Sequence, residues 1–371
     1  AKAAAPKMKK ISSWTIAAAT VRSWISFRPT TEGEYGPVVD SKAIDAALKK
    51  LAKKVATAPK NASFKTSGGK ITGVLASRNG RTLDIAGTST RISDLLNRRA
   101  AGGADTPIEP ALAIKPPTLS TEEAKAAAPK MKKISSWTTY FPISERNHYG
   151  ANIWLPALEI DGYVVAPGDT FDFWKAVGPI TRERGYGDGG AIINGKTEPQ
   201  GALAGGICSN STTLFNAALR AGFKMGARRN HYYYIDRYPA GLDATVFISA
   251  SGSTQTMSWT NDTKYPVLIR GYKIKKGSAG YVKYDIYSVP NGRKVVIGNP
   301  TIKNVRHARD TVQYTTGLAP GVRQRVEYPV DGKDVWRTVT VYQGGKVIRK
   351  TTYYSHYATI TGITLVGRAA D

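Results

Sequence analysis

The sequence is poor in the residues that most metal and redox chemistry needs: across 371 residues it has one cysteine and four histidines. A single cysteine excludes an intrachain disulfide and any cysteine-rich zinc site. The histidines, at 148, 231, 307 and 356, lack the spacing of paired metal ligands, and no glycine loop of the phosphate-cradling kind occurs. No cofactor is therefore expected. Long apolar runs are also missing, so this chain contains no transmembrane segment. It opens on AKAAAPKMKK, without Met or an apolar signal core, and reads as a mature or truncated end.

Acidic residues are scarce as well. Lys and Arg number 53 against 27 Asp and Glu, a formal charge of +26. The excess is uneven: residues 1–138 carry +14, residues 139–272 only +1, and residues 273–371 carry +11. Basic flanks attract polyanions, whether nucleic acid, anionic lipid or the acidic polymers of a bacterial wall. No zinc-finger spacing, RNP-like run or basic heptad helix is present, which disfavours nucleic acid.

What is present centres on GALAGGICSNSTTLFNAALRAGF, residues 201–223. Gly205 and Gly206 permit a sharp turn, and Leu214, Phe215, Ala218 and Leu219 recur at helical spacing until Gly222. Cys208 is thus predicted in a first helical turn, where unpaired N–H groups and the helix dipole favour a thiolate. His231 opens the aromatic run HYYYI, and Asp243 lies in GLDATVFI; both runs read as strands. Helix-borne Cys, then His, then Asp is an order used by papain-like and transglutaminase-like acyl-transfer enzymes. The other reading is a buried structural cysteine, a hydrogen-bonded histidine and a turn aspartate.

The segment AKAAAPKMKKISSWT occurs identically at 1–15 and 124–138. Its Ala/Lys/Pro content suggests a connector. The parent chain is expected either as a tandem array, with capacity for self-association, or with one copy that is not native. Between the copies, residues 16–123 read as a compact α+β module. Its clearest helix is SKAIDAALKKLAKKV, with an apolar stripe of Ile44, Ala47, Leu48, Leu51, Ala52 and Val55 and a solvated lysine face. A hairpin through ASFKTSGGKITGVLASRNGRTLDI, a short helix at ISDLLNRR and an extended PALAIKPP complete it.

This order resembles the peptidoglycan-binding module that precedes VanW domains. The next segment resembles the VanW family itself through RNHYGANI, DGYVVAPGDTFDFWKAVGPITRERGY, GGICSNSTTLFNAALRAG, RRNHYYYIDRYPAGLDATVF and WTNDTKYPVLI, over residues 139–272. Ala204 stands where a third glycine is common, and Ser209 where a glutamine is common. The resemblance implies an extracytoplasmic protein, secreted or attached to a bacterial cell wall, of a family named for glycopeptide (vancomycin) resistance clusters. It marks Cys208, Thr212, His231, Gly241 and Asp243 without assigning roles. Within this segment, Gly150 to Ile160 and Tyr163 to Phe173 are expected as strands, with Asp161-Gly162 as a hairpin turn. Arg228 and Arg229 are candidates to bind a substrate carboxylate.

From 273 to the end, alternation and glycine-marked turns predict an all-β module. From Pro300 it resembles a small cell-wall module thought to bind N-acetylglucosamine, with Trp336 and Tyr353 among the aromatics suited to sugar faces. The fold class expected is therefore α+β multidomain: an N-terminal α+β module, a central α+β domain whose Cys-bearing helix packs on antiparallel strands, and a C-terminal all-β module. Two functions stand. One is a non-enzymatic surface protein that binds peptidoglycan or acidic wall polymers. The other is an acyl-transfer enzyme on wall peptides, with Cys208 as nucleophile, His231 as base and Asp243 orienting it.

Overall fold

A computed structural model describes residues 15–29, 33–104, 106–193, 195–249 and 251–369, so the first copy of the repeated segment lies almost wholly outside the described residues. The chain divides into two compact units, Ala1–Lys60 with Arg78–Pro117, and Asn61–Ser77 with Thr118–Asp371. Among the described residues no helix is long and apolar enough to cross a membrane.

In the first unit the helix Ser41–Val55 starts where Asp40 accepts a hydrogen bond from the Ala43 N–H at 3.1 Å. It buries Ile44, Leu48 and Val55, the stripe predicted from the sequence, while its lysines stay exposed. The second helix is longer than expected, Ile85–Ala100, capped by Asp84. Trp24, Leu83 and Ile92 close this core, and two-stranded sheets flank it.

The second unit is built on an antiparallel sheet whose order is Lys132–Pro142, Ala279–Ser288, Val267–Lys276 and Val164–Val165. The helix Cys208–Arg220 packs on it through Leu214, Phe215 and Ala218, which join Phe141, Ile269, Val282 and Ile286 in one core. The C-terminal region is all strand. One sheet holds Arg293–Ile297, Gly332–Gln343, Thr301–Arg306 and Lys346–Tyr357; the other holds Asp310–Thr315, Gly362–Gly367 and Arg323–Glu327. The α+β multidomain class, the Cys-bearing helix on antiparallel strands and the all-β end are as the sequence implied.

Several local expectations change. Residues 124–138, read as a connector, are the end of the helix Thr121–Ala127, the turn Ala128–Lys130 and the first half of the strand Lys132–Pro142. Their small apolar residues Ala124 and Ala127, with Met131, are buried beside Leu119, Leu268 and Tyr287, which burial of a Lys-rich linker would not suggest. The hairpin Ser63–Ser67 with Lys70–Leu75 shares that core through Phe64, so it belongs to the second unit. Residues 151–160 are a helix, because Ile153, Trp154, Ala157 and Ile160 all point into the core at helical spacing despite Pro156. Asp161-Gly162 ends that helix instead of turning a hairpin; Gly162 has φ +83° and the Tyr163 N–H reaches the Ile160 carbonyl at 2.9 Å. The border expected at 272/273 falls inside the strand Val267–Lys276.

Two glycines separate steric from conformational demand. A Cβ on Gly205 would lie 2.2 Å from the Gly189 carbonyl oxygen, whereas one on Gly252, at φ +82°, would meet nothing. Gly205→Ala is expected to destabilise by about 3 kcal/mol and Gly252→Ala by about 1 kcal/mol. Equal shifts in the chemical-denaturation midpoint would refute this packing.

Candidate active site

Cys208 is the first residue of its helix, after Ile207 as the cap. The turn before it is fixed from outside. Buried Asn152 accepts the Gly187 N–H at 3.0 Å and donates to the carbonyls of Gly187 and Gly205 at 2.9 and 3.0 Å. Ala204 and Gly206 have φ of +61° and +97°. Ala204, the departure noted in the sequence, thus occupies a backbone conformation that suits glycine better.

The helix carries a run of buried polar side chains that grip an extended loop. Ser211 donates to the Ala244 carbonyl at 2.7 Å, Thr212 accepts the Ala244 N–H at 3.0 Å, and Asn216 donates to the Leu242 carbonyl at 2.8 Å. Cys208 continues the row: its Sγ lies 3.2 Å from Thr245 Oγ1 and 3.3 Å from the Val246 carbonyl, and the Val246 N–H approaches it at 3.5 Å. These contacts replace a strand ladder. The runs after His231 and around Asp243, expected as strands, are accordingly loop apart from the two-residue strand Phe247–Ile248.

The loop brings His231 and Asp243 to the thiol. Asp243 Oδ2 accepts both the His231 backbone N–H at 2.7 Å and ring Nδ1 at 2.6 Å, which fixes the imidazole plane. Its other ring nitrogen, Nε2, is buried and closes no hydrogen bond. The thiol is its charge partner. Burial opposes ionisation of Cys208, but hydrogen bonding and the charge of His231 lower its pKa below the ordinary thiol value. Burial also disfavours a charged His231, yet Asp243 and Cys208 together raise its pKa well above the ordinary range. Asp243 feels the same desolvation, overcome by His231 and Arg228, and stays well below the usual carboxylate range. The arrangement therefore favours a thiolate beside an imidazolium.

Of the residues expected from sequence, Cys208, His231 and Asp243 come together. Arg228, expected at a substrate carboxylate, is instead turned inward: it donates to the Asp243 carboxylate at 3.0 Å, the Asp243 carbonyl at 2.6 Å and Ser355 Oγ at 2.9 Å. Thr212 is fully buried and engaged by Ala244. Tyr353 packs edge-on against Phe215, ring centroids 5.9 Å apart, and so presents no sugar platform. Trp336 is half-buried beside exposed Tyr354. Arg229 is exposed. Ser209, at the common glutamine position, is buried; its hydroxyl lies 2.7 Å from Tyr238 OH and accepts from Arg237 at 3.1 Å. The Tyr238 ring in turn lies 5.2 Å from that of His231.

Sequence reasoning missed Thr245, Tyr238, Arg237 and Tyr357. The first three adjoin the motif runs and were within reach. Tyr357 is 114 residues from Asp243 and nothing local marks it. Among the described residues no group of three or more His, Cys, Asp or Glu is placed to hold a metal.

Residues 148–284 match the family described as VanW like protein, and residues 9–102 match that described as Putative peptidoglycan binding domain. The chain carries a VanW domain. The runs that resembled this family, from Asn152 to Asp243, are the ones that converge around Cys208. Similar proteins include the uncharacterized protein YoaR of Bacillus subtilis, 37% identical over 139 residues, 38% of this chain and 44% of the relative. The vancomycin B-type resistance protein VanW of Enterococcus faecalis is 30% identical over 102 residues, 26% of this chain and 36% of the relative. The chain thus spans less than half the length of either relative. An IgA1 protease G5 domain matches 22% of this chain at 15% identity and a TM-score of 0.15, and HP0197-G5 matches 20% at 16% and 0.12.

The raised His231 pKa sets a stability window. Its contribution is complete below about pH 6.5, the unfolded value, and is lost as pH rises through the raised folded value. The lowered Asp243 pKa acts in the other direction: its contribution is present above about pH 4 and is lost on acidification through the folded value. The denaturation-midpoint gap between the native chain and His231→Gln should therefore be widest between about pH 4 and about pH 6.5 and narrow in alkali. A gap that widens with alkali would contradict the assigned pairing.

Proposed function

We propose that this protein is a cell-wall-associated bacterial protein whose VanW domain performs cysteine-dependent acyl transfer on peptide amides of the wall. The observation that carries the chemistry is the Asp243–His231 hydrogen bond of 2.6 Å, with Nε2 left buried beside a thiol at a helix start. The peptidoglycan-binding match at residues 9–102 and the basic flanks support the setting. Partners would be peptidoglycan or acidic wall polymers, met on the extracytoplasmic side, and repeated segments would suit an array of such modules.

In the proposed reaction Cys208 Sγ attacks the amide carbonyl carbon, forming a C–S bond. The imidazolium Nε2–H protonates the departing amine nitrogen as the C–N bond breaks, leaving a thioester. An acceptor amine, or water, then adds to the thioester carbonyl while His231 takes its proton. The C–S bond breaks and the thiolate returns. Asp243 keeps Nδ1 protonated and the ring oriented throughout. Val246 N–H and Thr245 Oγ1, already at the sulfur, hold the thiolate in place.

A second reading, a wall-binding protein without chemistry, is favoured by the charge partition, which puts +14 and +11 on the flanks and +1 in the middle. One experiment separates the two. Purified chain is incubated with peptidoglycan fragments bearing stem peptides, quenched in acid and examined by intact mass for a covalent acyl adduct, in parallel with Cys208→Ser and a salt-dependent pelleting assay on intact sacculi. Acyl transfer predicts an adduct absent from Cys208→Ser, with product formation lowered by at least about 10³-fold. Pelleting that fades with salt, without an adduct or product, would leave the binding reading alone.

A further inference from the structure

Asp243 is held from a second direction, by a part of the chain far from the VanW signature runs. Tyr357, the last residue of the strand Lys346–Tyr357, is fully buried, and its hydroxyl donates to Asp243 Oδ1 at 2.6 Å. The same hydroxyl accepts the Gly241 N–H at 3.1 Å. Oδ1 therefore takes Tyr357 and Arg228, which leaves Oδ2 for His231. The division prevents the carboxylate from rotating away from the imidazole.

The neighbouring residues of that strand are tied to the same loop. Arg228 reaches Ser355 Oγ at 2.9 Å and the Tyr354 carbonyl at 3.2 Å; Asn230 donates to the His356 carbonyl at 2.7 Å; and the Ala358 N–H meets the Tyr232 carbonyl at 2.8 Å. Gly241, at φ +76°, fits against Val335 of the paired strand, where a Cβ would come within 3.1 Å of a methyl group. Val339 enters the central core, and Arg293 and Arg349 of this region both bind Asp262. The C-terminal hairpin is thus part of the structure that builds the site.

We propose that Tyr357 is a positioning residue for the Cys208–His231–Asp243 site, so that the C-terminal β module assembles the VanW site in addition to any role in wall binding. The inference rests on reading that site as a thiolate–imidazolium pair. Without the Tyr357 hydroxyl, the carboxylate and the Gly241 N–H each lose a buried partner, the imidazole loses its fixed orientation, and less thiolate is present near neutral pH.

The test is the ratio of Cys208 alkylation rates by iodoacetamide at about pH 6 and about pH 10, where the thiolate at the higher pH no longer depends on the imidazolium. It is measured on the full chain, on Tyr357→Phe and on Tyr354→Phe, whose exposed hydroxyl touches Asp334 and not the site. Tyr357→Phe should lower the ratio about tenfold, one pKa unit, and Tyr354→Phe should leave it unchanged. A loss of denaturation midpoint with an unchanged ratio would mean a structural role and overturn the proposal, leaving the thiolate reading intact. A native chain already unreactive at about pH 6 would overturn both. Should Tyr357→Phe fail to fold, Ser355→Ala loosens the hairpin's grip on Arg228 instead; a drop of about threefold is expected, and no drop would refute the inference.

Discussion

One buried carboxylate organises this molecule. Asp243 lies in the interior with a charge that would be prohibitively unstable without partners, and it has four donors: the His231 backbone and ring, Arg228 and Tyr357. Each comes from a different demand on the chain. The loop must fold back so that residue 231 meets residue 243, Arg228 must turn inward, and the C-terminal hairpin must dock. Removing one donor leaves the others holding an under-compensated charge, so the site and the packing of the second unit are expected to respond together.

The helix that bears Cys208 solves a related problem. A thiolate gains from a helix start, but a loop that approaches a helix has backbone groups needing partners. The polar face of Ser211, Thr212 and Asn216 supplies those partners and fixes the loop carrying Asp243 at the sulfur. Thr212, which matched the family's motif, is explained by this scaffold role, and so is the inward turn of Arg228.

Much of the site could be read from the sequence. Cys208 at a helix start followed from two glycines and an apolar stripe, and the order Cys, His, Asp followed from residue types alone. The strands predicted around His231 and Asp243 were wrong because helix side chains replace a ladder there, something local β propensity does not encode. Residues 151–160 were misread because an all-round buried helix lacks the polar face that betrays a surface one. The connector at 124–138 was misread on composition: alanine and lysine suggest a linker, yet Ala124, Ala127 and Met131 are buried. Tyr357 was invisible because its contact spans 114 residues.

The central claim is that His231 is held as an imidazolium by Asp243 and the Cys208 thiolate. Its direct test is the ring ¹⁵N chemical shifts of His231 in the native chain and in Cys208→Ala, followed by NMR from about pH 6 to about pH 9. The account predicts both nitrogens protonated well above the ordinary histidine pKa, with a lower titration midpoint once the sulfur is removed. A neutral imidazole at neutral pH, indifferent to Cys208, would contradict it.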